Sequence, residues 1–464
     1  MMLKDNVSKG LRLIFVDFFG LVVGILNGFF LPMVFSIDGY VLFRTFTLYA
    51  TYATVFSFGL SDGLYLIYGG KNESDTDASK TKAYYFFLIK LQMVVCSIMF
   101  ILSCLILKDT ALVFFSLFIM PLQLINFFRL YYRALGEFDK YSVLQAVLVV
   151  FELLNTLAIV FYVKSQSPNL FISIKIMNHV IVAVFLSILF FGRHKLISPA
   201  KLKWADCYAI MKPGFLVMMA DMVAALIFSL DRWFIKVLFN DLDFAYYSFA
   251  VSILNLFLVF IGSVTSIFYS YISKKVDNDV YIRNLKMNVL MVSSFLPVGY
   301  FILAEMVKNC LSKYSGALDI LWILILMVPF ISVINVLYVN LYKASKSIWV
   351  YLKRMMTILV VSFVLIAAAF IIFGTATAIA WTTFLTFIIW YFYSSMDFRG
   401  VKIDVREIFY LAFLILSLIA VKTAGLNVFL SLTILVIVLI INICVFYKKD
   451  VLRIWGVIRN NVHN

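Results

Sequence analysis

The amino-acid sequence predicts an all-α, polytopic transmembrane bundle of about fourteen helices, and three observations carry that prediction. Of 464 residues, 64% are apolar and 14% charged, with a mean hydropathy of +1.03. A water-soluble chain of this size would lack the polar side chains to cover its surface. The apolar residues come in runs of about 20, the length needed to cross a hydrocarbon core about 30 Å thick. The charges gather in short clusters between those runs, and the basic ones favour every second cluster.

Taken in order, spans are expected near residues 13–35, 40–62, 83–107, 110–132, 142–163, 170–191, 213–236, 244–272, 286–307, 315–340, 355–373, 375–396, 407–424 and 426–447. The polar, basic segment Met1–Arg12 precedes the first run, and no small-residue cleavage site follows it, so a retained span is expected rather than a cleaved signal. With the N-terminus inside, the cytoplasmic segments hold 29 of the 39 basic residues; the outer loops hold five, Lys108, Lys164, Lys308, Lys313 and Lys422. That asymmetry places both termini in the cytoplasm. The longest hydrophilic stretches, Gly69–Lys82 and Gly192–Lys212, are too short to fold as domains, so the work of the protein is expected inside the bilayer.

The net charge of +15 follows the orientation of the spans and does not point to nucleic acid. The five cysteines lie singly, without a Cys-x-x-Cys, and read as apolar filling rather than a disulfide or metal framework. There is no P-loop, no Gly-x-Ser-x-Gly and no His-Glu-x-x-His, so neither an enzyme nor a cofactor site is expected.

Charges within spans are costly and by default face a protein or water-filled interior. Those expected here are Asp17, Arg44, Lys90, Glu152, Lys175, Asp221, Asp231, Arg232 and Lys236, with His179 as the mid-span imidazole. Asp17, Gly20, Gly24 and Gly28 share one face of the first span, where the glycines suit close helix packing but the carboxylate does not. Asn27 lies beside that face. Polar stripes run through Arg44 and Thr51, through Gln123 and Asn126, through Gln145, Glu152 and Asn155, and through Ser248, Ser252 and Asn255. Such stripes fit either a wet cavity or hydrogen bonds between helices. Lys175 and His179 stand one turn apart; His179 reads either as a proton switch or as a satisfied core imidazole. Arg44, Lys175 and Arg232, with Lys236, put cations from both halves of the chain in the outer half of the bilayer, which would suit a pyrophosphate or an acidic sugar. Lys90 lies in the inner half. Asp17 and Asp221 also sit in a faint parallel repeat at an offset of 204 residues.

Several stretches carry a family resemblance. They are Leu230-Asp231-Arg232-Trp233-Phe234-Ile235-Lys236 with Ala245-Tyr246-Tyr247-Ser248-Phe249-Ala250, Ser57-Phe58-Gly59-Leu60-Ser61-Asp62-Gly63, and Tyr132-Arg133-Ala134-Leu135-Gly136-Glu137-Phe138. In these the sequence resembles the polysaccharide flippases, Wzx-type for O-antigen, of the multidrug/oligosaccharidyl-lipid/polysaccharide (MOP) exporter superfamily. The resemblance implies two six-helix lobes, 1–191 and 192–396 with a cytoplasmic linker at 192–212, and two further helices with a basic tail in 397–464. It implies a bacterial inner-membrane protein whose cavity opens alternately to each side. The substrate would be an undecaprenyl-diphosphate-linked oligosaccharide, met by a cationic lumen at Arg44 and Arg232. Coupling to H⁺ or Na⁺ would run through Asp17, Asp221, Glu152 or His179, and the partners would be membrane lipids and polysaccharide-assembly proteins. The first span lacks the arginines of the lipid II flippases and has Asp17 instead. The rival readings are a cation-coupled small-molecule or drug exporter of the same fold, and a membrane polysaccharide polymerase, which would need a large outer loop.

Overall fold

The computed structural model describes the backbone of residues 2–71, 73–193, 198–344 and 348–462. Side chains are described from Phe15 to Lys448, except Asp17, Asn72, 193–197 and parts of 259–274 and 343–348. Among these residues the secondary structure is helical throughout. The helices are α1 (Met2–Val34), α2 (Ile37–Thr51), α3 (Leu60–Tyr68), α4 (Ala78–Ile101), α5 (Thr110–Ala134), α6 (Phe138–Leu157), α7 (Asn169–Arg193), α8 (Trp204–Ile227), α9 (Leu230–Leu238) and α10 (Asp241–Lys274). They continue as α11 (Asp279–Ser293), α12 (Gly299–Cys310), α13 (Leu318–Leu326), α14 (Val328–Val333), α15 (Val339–Ala344), α16 (Ile348–Phe373), α17 (Ala376–Ser395), α18 (Val405–Thr423) and α19 (Val428–Val462). The α4 and α6 helices each end in a wider π-turn, through Leu107 and Val163, closed by a left-handed Lys108 or Lys164. Short polar side chains cap several starts. Asp109 accepts from the amides of Ala111 (2.8 Å) and Leu112 (3.2 Å), and Ser36 accepts from that of Gly39 (3.0 Å).

Nine helices among the described residues are long and apolar enough to cross a membrane, and a tenth crossing is the pair Ser312–Leu326 and Val328–Tyr342, bent by 44°. That number counts described residues only, and the fourteen runs read from hydropathy differ among themselves. The first lies within the 33-residue α1 (Met2–Val34), whose described part Phe18–Val34 is apolar. The second is broken: a 3₁₀ turn at Ala53–Ser57 leads into Phe58 and Gly59, both in the left-handed region (φ 49° and 78°), before α3 resumes. The α18 helix carries Arg406, Glu407 and Lys422 within 19 residues. The spanning helices turn large apolar side chains outward, such as Ile98, Ile101 and Leu105 near α4 and Phe363, Val364 and Ile371 on α16. Surfaces of that kind are stable only against hydrocarbon.

The chain divides into two compact units, residues 1–229 with 240–245, and residues 230–239 with 246–464. Within the first unit α8 packs against α3. The contact is backbone to backbone. A Cβ on Gly63 would overlap the Ile210 carbonyl, and one on Gly214 would overlap Gly59 and Gly63, so Gly59-x-x-x-Gly63 provides a groove that no larger residue leaves open. Nearby, the hydroxyl of Tyr52, at the break between α2 and α3, hydrogen-bonds that of Ser229, at the break after α8. The first unit is filled by an aromatic core around Tyr85, Phe127, Phe128, Tyr131 and Phe190. In the second, Phe249 stacks on Tyr314 (centroids 4.6 Å apart) and Trp322 meets Tyr300 (4.8 Å).

Candidate functional site

The first unit holds a column of polar side chains where α1, α5, α6 and α7 pack together. Residues 145, 152 and 156 lie at i, i+7 and i+11, one face of a helix, so Gln145, Glu152 and Thr156 line one side of α6. Glu152 Oε1 accepts from Lys175 Nζ at 2.9 Å and from Asn27 Nδ2 at 3.2 Å. The Thr156 hydroxyl bonds Asn27 Oδ1 and also reaches the Glu152 carbonyl (2.9 Å). One turn along α7, His179 Nδ1 lies 2.8 Å from the Lys175 carbonyl oxygen, and its ring meets Phe118 edge-on at 4.8 Å. Further along α6, Arg129 of α5 donates through Nη2 to Gln145 Oε1 (2.7 Å), and Gln145 Nε2 donates to the Tyr141 hydroxyl (2.9 Å).

Two features give this column chemical capacity. The Lys175 and Glu152 side chains each retain 20% of their exposure, so the ion pair is accessible rather than sealed. The Arg129 Nε is buried and has no hydrogen-bond partner among the described residues, which leaves part of a permanent cation unsatisfied. Arg129 fits the description of an anion-binding group better than Lys175, whose charge Glu152 already meets.

The structure sorts the remaining predicted residues. Arg44 is half-buried on α2, with its guanidinium 5.9 Å from the ring centre of Tyr40. Lys90 is exposed on α4, apart from this network. Gln123 is buried and donates to the carbonyl of Ala53, so it braces the broken second span instead of facing a cavity. Thr51 is exposed, with its hydroxyl on the Thr47 carbonyl (3.0 Å), and Asn126 is half-buried. Asn155 donates to the Phe171 carbonyl at 2.9 Å, tying α6 to α7. Asp221 is exposed on α8. The side chain of Asp17 lies outside the described residues.

In the second unit, Arg232 and Lys236 are half-buried on α9, and Asn255 is half-buried on α10. Asp231 is buried: its Oδ2 accepts from the Tyr247 hydroxyl (2.7 Å) and lies 3.5 Å from Thr383 Oγ1, and its Oδ1 accepts from the Arg232 amide (2.7 Å). Elsewhere Lys286 meets Glu407 at 2.7 Å, with the two side chains 2% and 6% exposed and Tyr391 hydrogen-bonded to the same carboxylate.

No family model matches the sequence, and no curated protein does. Solved structures do match. A lipid II flippase, MurJ, in an inward-closed conformation superposes with a TM-score of 0.69 at 14% identity, covering 96% of this chain and all of that one. A MOP-superfamily transporter from Pyrococcus furiosus gives 0.54 at 12% identity over 85% of this chain and 96% of its own. The MATE multidrug transporter DinF-BH gives 0.52 at 14%, over 85% and 95%.

The chain has the fold of the lipid II flippase and MATE transporters.

Within this fold Asn27, Glu152, Lys175 and His179, named separately from the sequence, lie in one network. Arg129, counted with the cytoplasmic cations, was not named as a candidate. The available signal was its position one turn inside the end of α5, four residues before Arg133.

Proposed function

We propose that the protein is an alternating-access transporter that flips an undecaprenyl-diphosphate-linked oligosaccharide, a surface-polysaccharide repeat unit, from the cytoplasmic to the outer leaflet. The observation that carries this reading is the column in the first unit: an accessible Lys175–Glu152 pair, with Arg129 unsatisfied beside Gln145, on helices that are otherwise apolar. An arriving diphosphate has the charge and the oxygens to engage Arg129 and to take the place of Glu152 at Lys175. Coupling of substrate passage to H⁺ or Na⁺ through Glu152 belongs to the same proposal. Asn27 and Thr156 hold Glu152 in place for that exchange. Asp17, Asp221, Arg44 and Arg232 stay in the proposal as further coupling and contact groups. Lipid II itself is a poorer fit, because the first span has no arginine. The accompanying topology has fourteen crossings in two lobes of six plus two, both termini in the cytoplasm, and the bacterial inner membrane as location.

The test is a deletion strain. It should lose surface glycan and accumulate the lipid-linked precursor on the inner face, with rescue by the wild-type gene and no rescue by Arg129→Ala. Normal glycan export in the deletion strain would rule the reading out. The column also suits a second reading, export of an organic cation that displaces Lys175 from Glu152. Loss of drug resistance with intact glycan would select it.

A further inference from the structure

The polar column continues past Arg129 toward the end of α5 that the basic residues assign to the cytoplasm. Arg129 and Arg133 are four residues apart, on one face of the helix and about 6 Å apart along its axis. Gln145 and Tyr141 repeat that spacing on α6. The two sets meet as rungs. Arg129 donates to Gln145 (2.7 Å), and the guanidinium of Arg133 stands 5.8 Å from the ring centre of Tyr141. Gln145 ties the rungs together by donating to the Tyr141 hydroxyl (2.9 Å). Arg133 also meets Tyr65 of α3, 5.9 Å from its ring centre.

The two arginines are held differently but keep the same capacity. Arg129 is half-buried with its Nε unsatisfied, and Arg133 is exposed at the end of the column. An aromatic face attracts the charge of a guanidinium without consuming its N–H groups, so Tyr65 and Tyr141 can orient Arg133 and leave it able to donate. A diphosphate consists of two charged groups joined through one oxygen, and each can take paired N–H···O bonds from one arginine. A monophosphate engages one arginine and leaves the other idle.

We propose that Arg129 and Arg133 form an entry station for the diphosphate, and that the need for both selects a diphosphate-linked lipid over the same lipid with one phosphate. Tyr65 and Tyr141 are positioning residues for Arg133. From this station the diphosphate moves inward, keeping Arg129 and exchanging Arg133 for Lys175. The inference rests on the flippase reading, which assigns the column its substrate but gives Arg133 no part and the protein no such selectivity.

Native mass spectrometry of the full-length protein in detergent tests it, with undecaprenyl diphosphate and undecaprenyl phosphate titrated separately. Wild type is expected to bind the diphosphate at least ten-fold more tightly. Arg133→Lys keeps the charge at the helix end but not the paired N–H edge, and should bring that ratio below about three-fold. Its monophosphate binding and melting temperature should not change. Tyr65→Leu leaves both cations in place and should lower the ratio in the same direction, which keeps the test decisive if Arg133→Lys fails to fold. Binding of neither lipid by wild type would remove the flippase reading and the entry station together. Equal binding of both by wild type, or the full preference retained in Arg133→Lys and Tyr65→Leu, would overturn the entry station alone.

Discussion

Among the described residues a lysine–glutamate pair joins membrane helices in the first unit, Lys175–Glu152, and another lies in the second, Lys286–Glu407, and the two are built differently. Lys286 and Glu407 are 2% and 6% exposed, and the ring of Tyr391, whose hydroxyl bonds the carboxylate, faces the ammonium at 5.2 Å. Lys286 also donates to the Val401 carbonyl at 2.9 Å, which anchors the segment before α18. Lys175 and Glu152 are 20% exposed, with Asn27 and Thr156 on one side and the unsatisfied Arg129 further along the same face. A sealed pair is matched by its neighbours and has nothing left to exchange, so its role is to hold helices. A half-open pair with spare polar capacity can trade partners.

The contrast predicts opposite consequences for equivalent substitutions. Glu407→Ala leaves Lys286 buried without its counter-charge, and the expected loss is about 3–5 kcal/mol of stability. That would be read as a large drop in melting temperature in detergent and in yield of folded protein. The double variant Lys286→Met, Glu407→Leu should recover most of this loss, since apolar replacement of a buried pair is often neutral; no recovery would mean the pair does more than satisfy itself. Gly214→Val puts branched carbons where the backbone of Gly59 and Gly63 sits, and overpacking of that kind costs about 1–3 kcal/mol. Cysteines placed across α3 and α8 should then cross-link more slowly than in the wild type. Glu152→Gln keeps the shape and most hydrogen bonds, and Lys175 retains access to water, so the expected stability change is at most about 1 kcal/mol. Its effect should fall on transport. A Glu152→Gln protein that melts like Glu407→Ala would erase the distinction between the pairs.

Much of the architecture was legible because hydropathy reports what hydrocarbon demands of a helix, segment by segment. The runs that became α4 to α7 were placed within a few residues. The break at Tyr52–Gly59 was not, because Phe58 and Gly59 read as apolar filler until the backbone shows both in the left-handed region. Partnerships were also hidden. Glu152 and Lys175 are 23 residues apart, and Lys286 and Glu407 are 121 apart, so only the packing of helices reveals that each charge has a match. Lys175 was expected to be a bare cation for that reason. Arg129 was overlooked for the reverse reason: near the end of a span, a basic residue looks like an orientation signal whether or not it turns inward.

The central claim is that the column at Arg129, Glu152 and Lys175 handles an anionic lipid-linked substrate. The most direct test is flipping of a fluorescent undecaprenyl-diphosphate saccharide in proteoliposomes, comparing wild type with Arg129→Gln at matched folded protein. The account predicts that wild type exposes the probe to an external quencher while Arg129→Gln slows this at least ten-fold, with an unchanged melting temperature. Equal rates for the two proteins would contradict it.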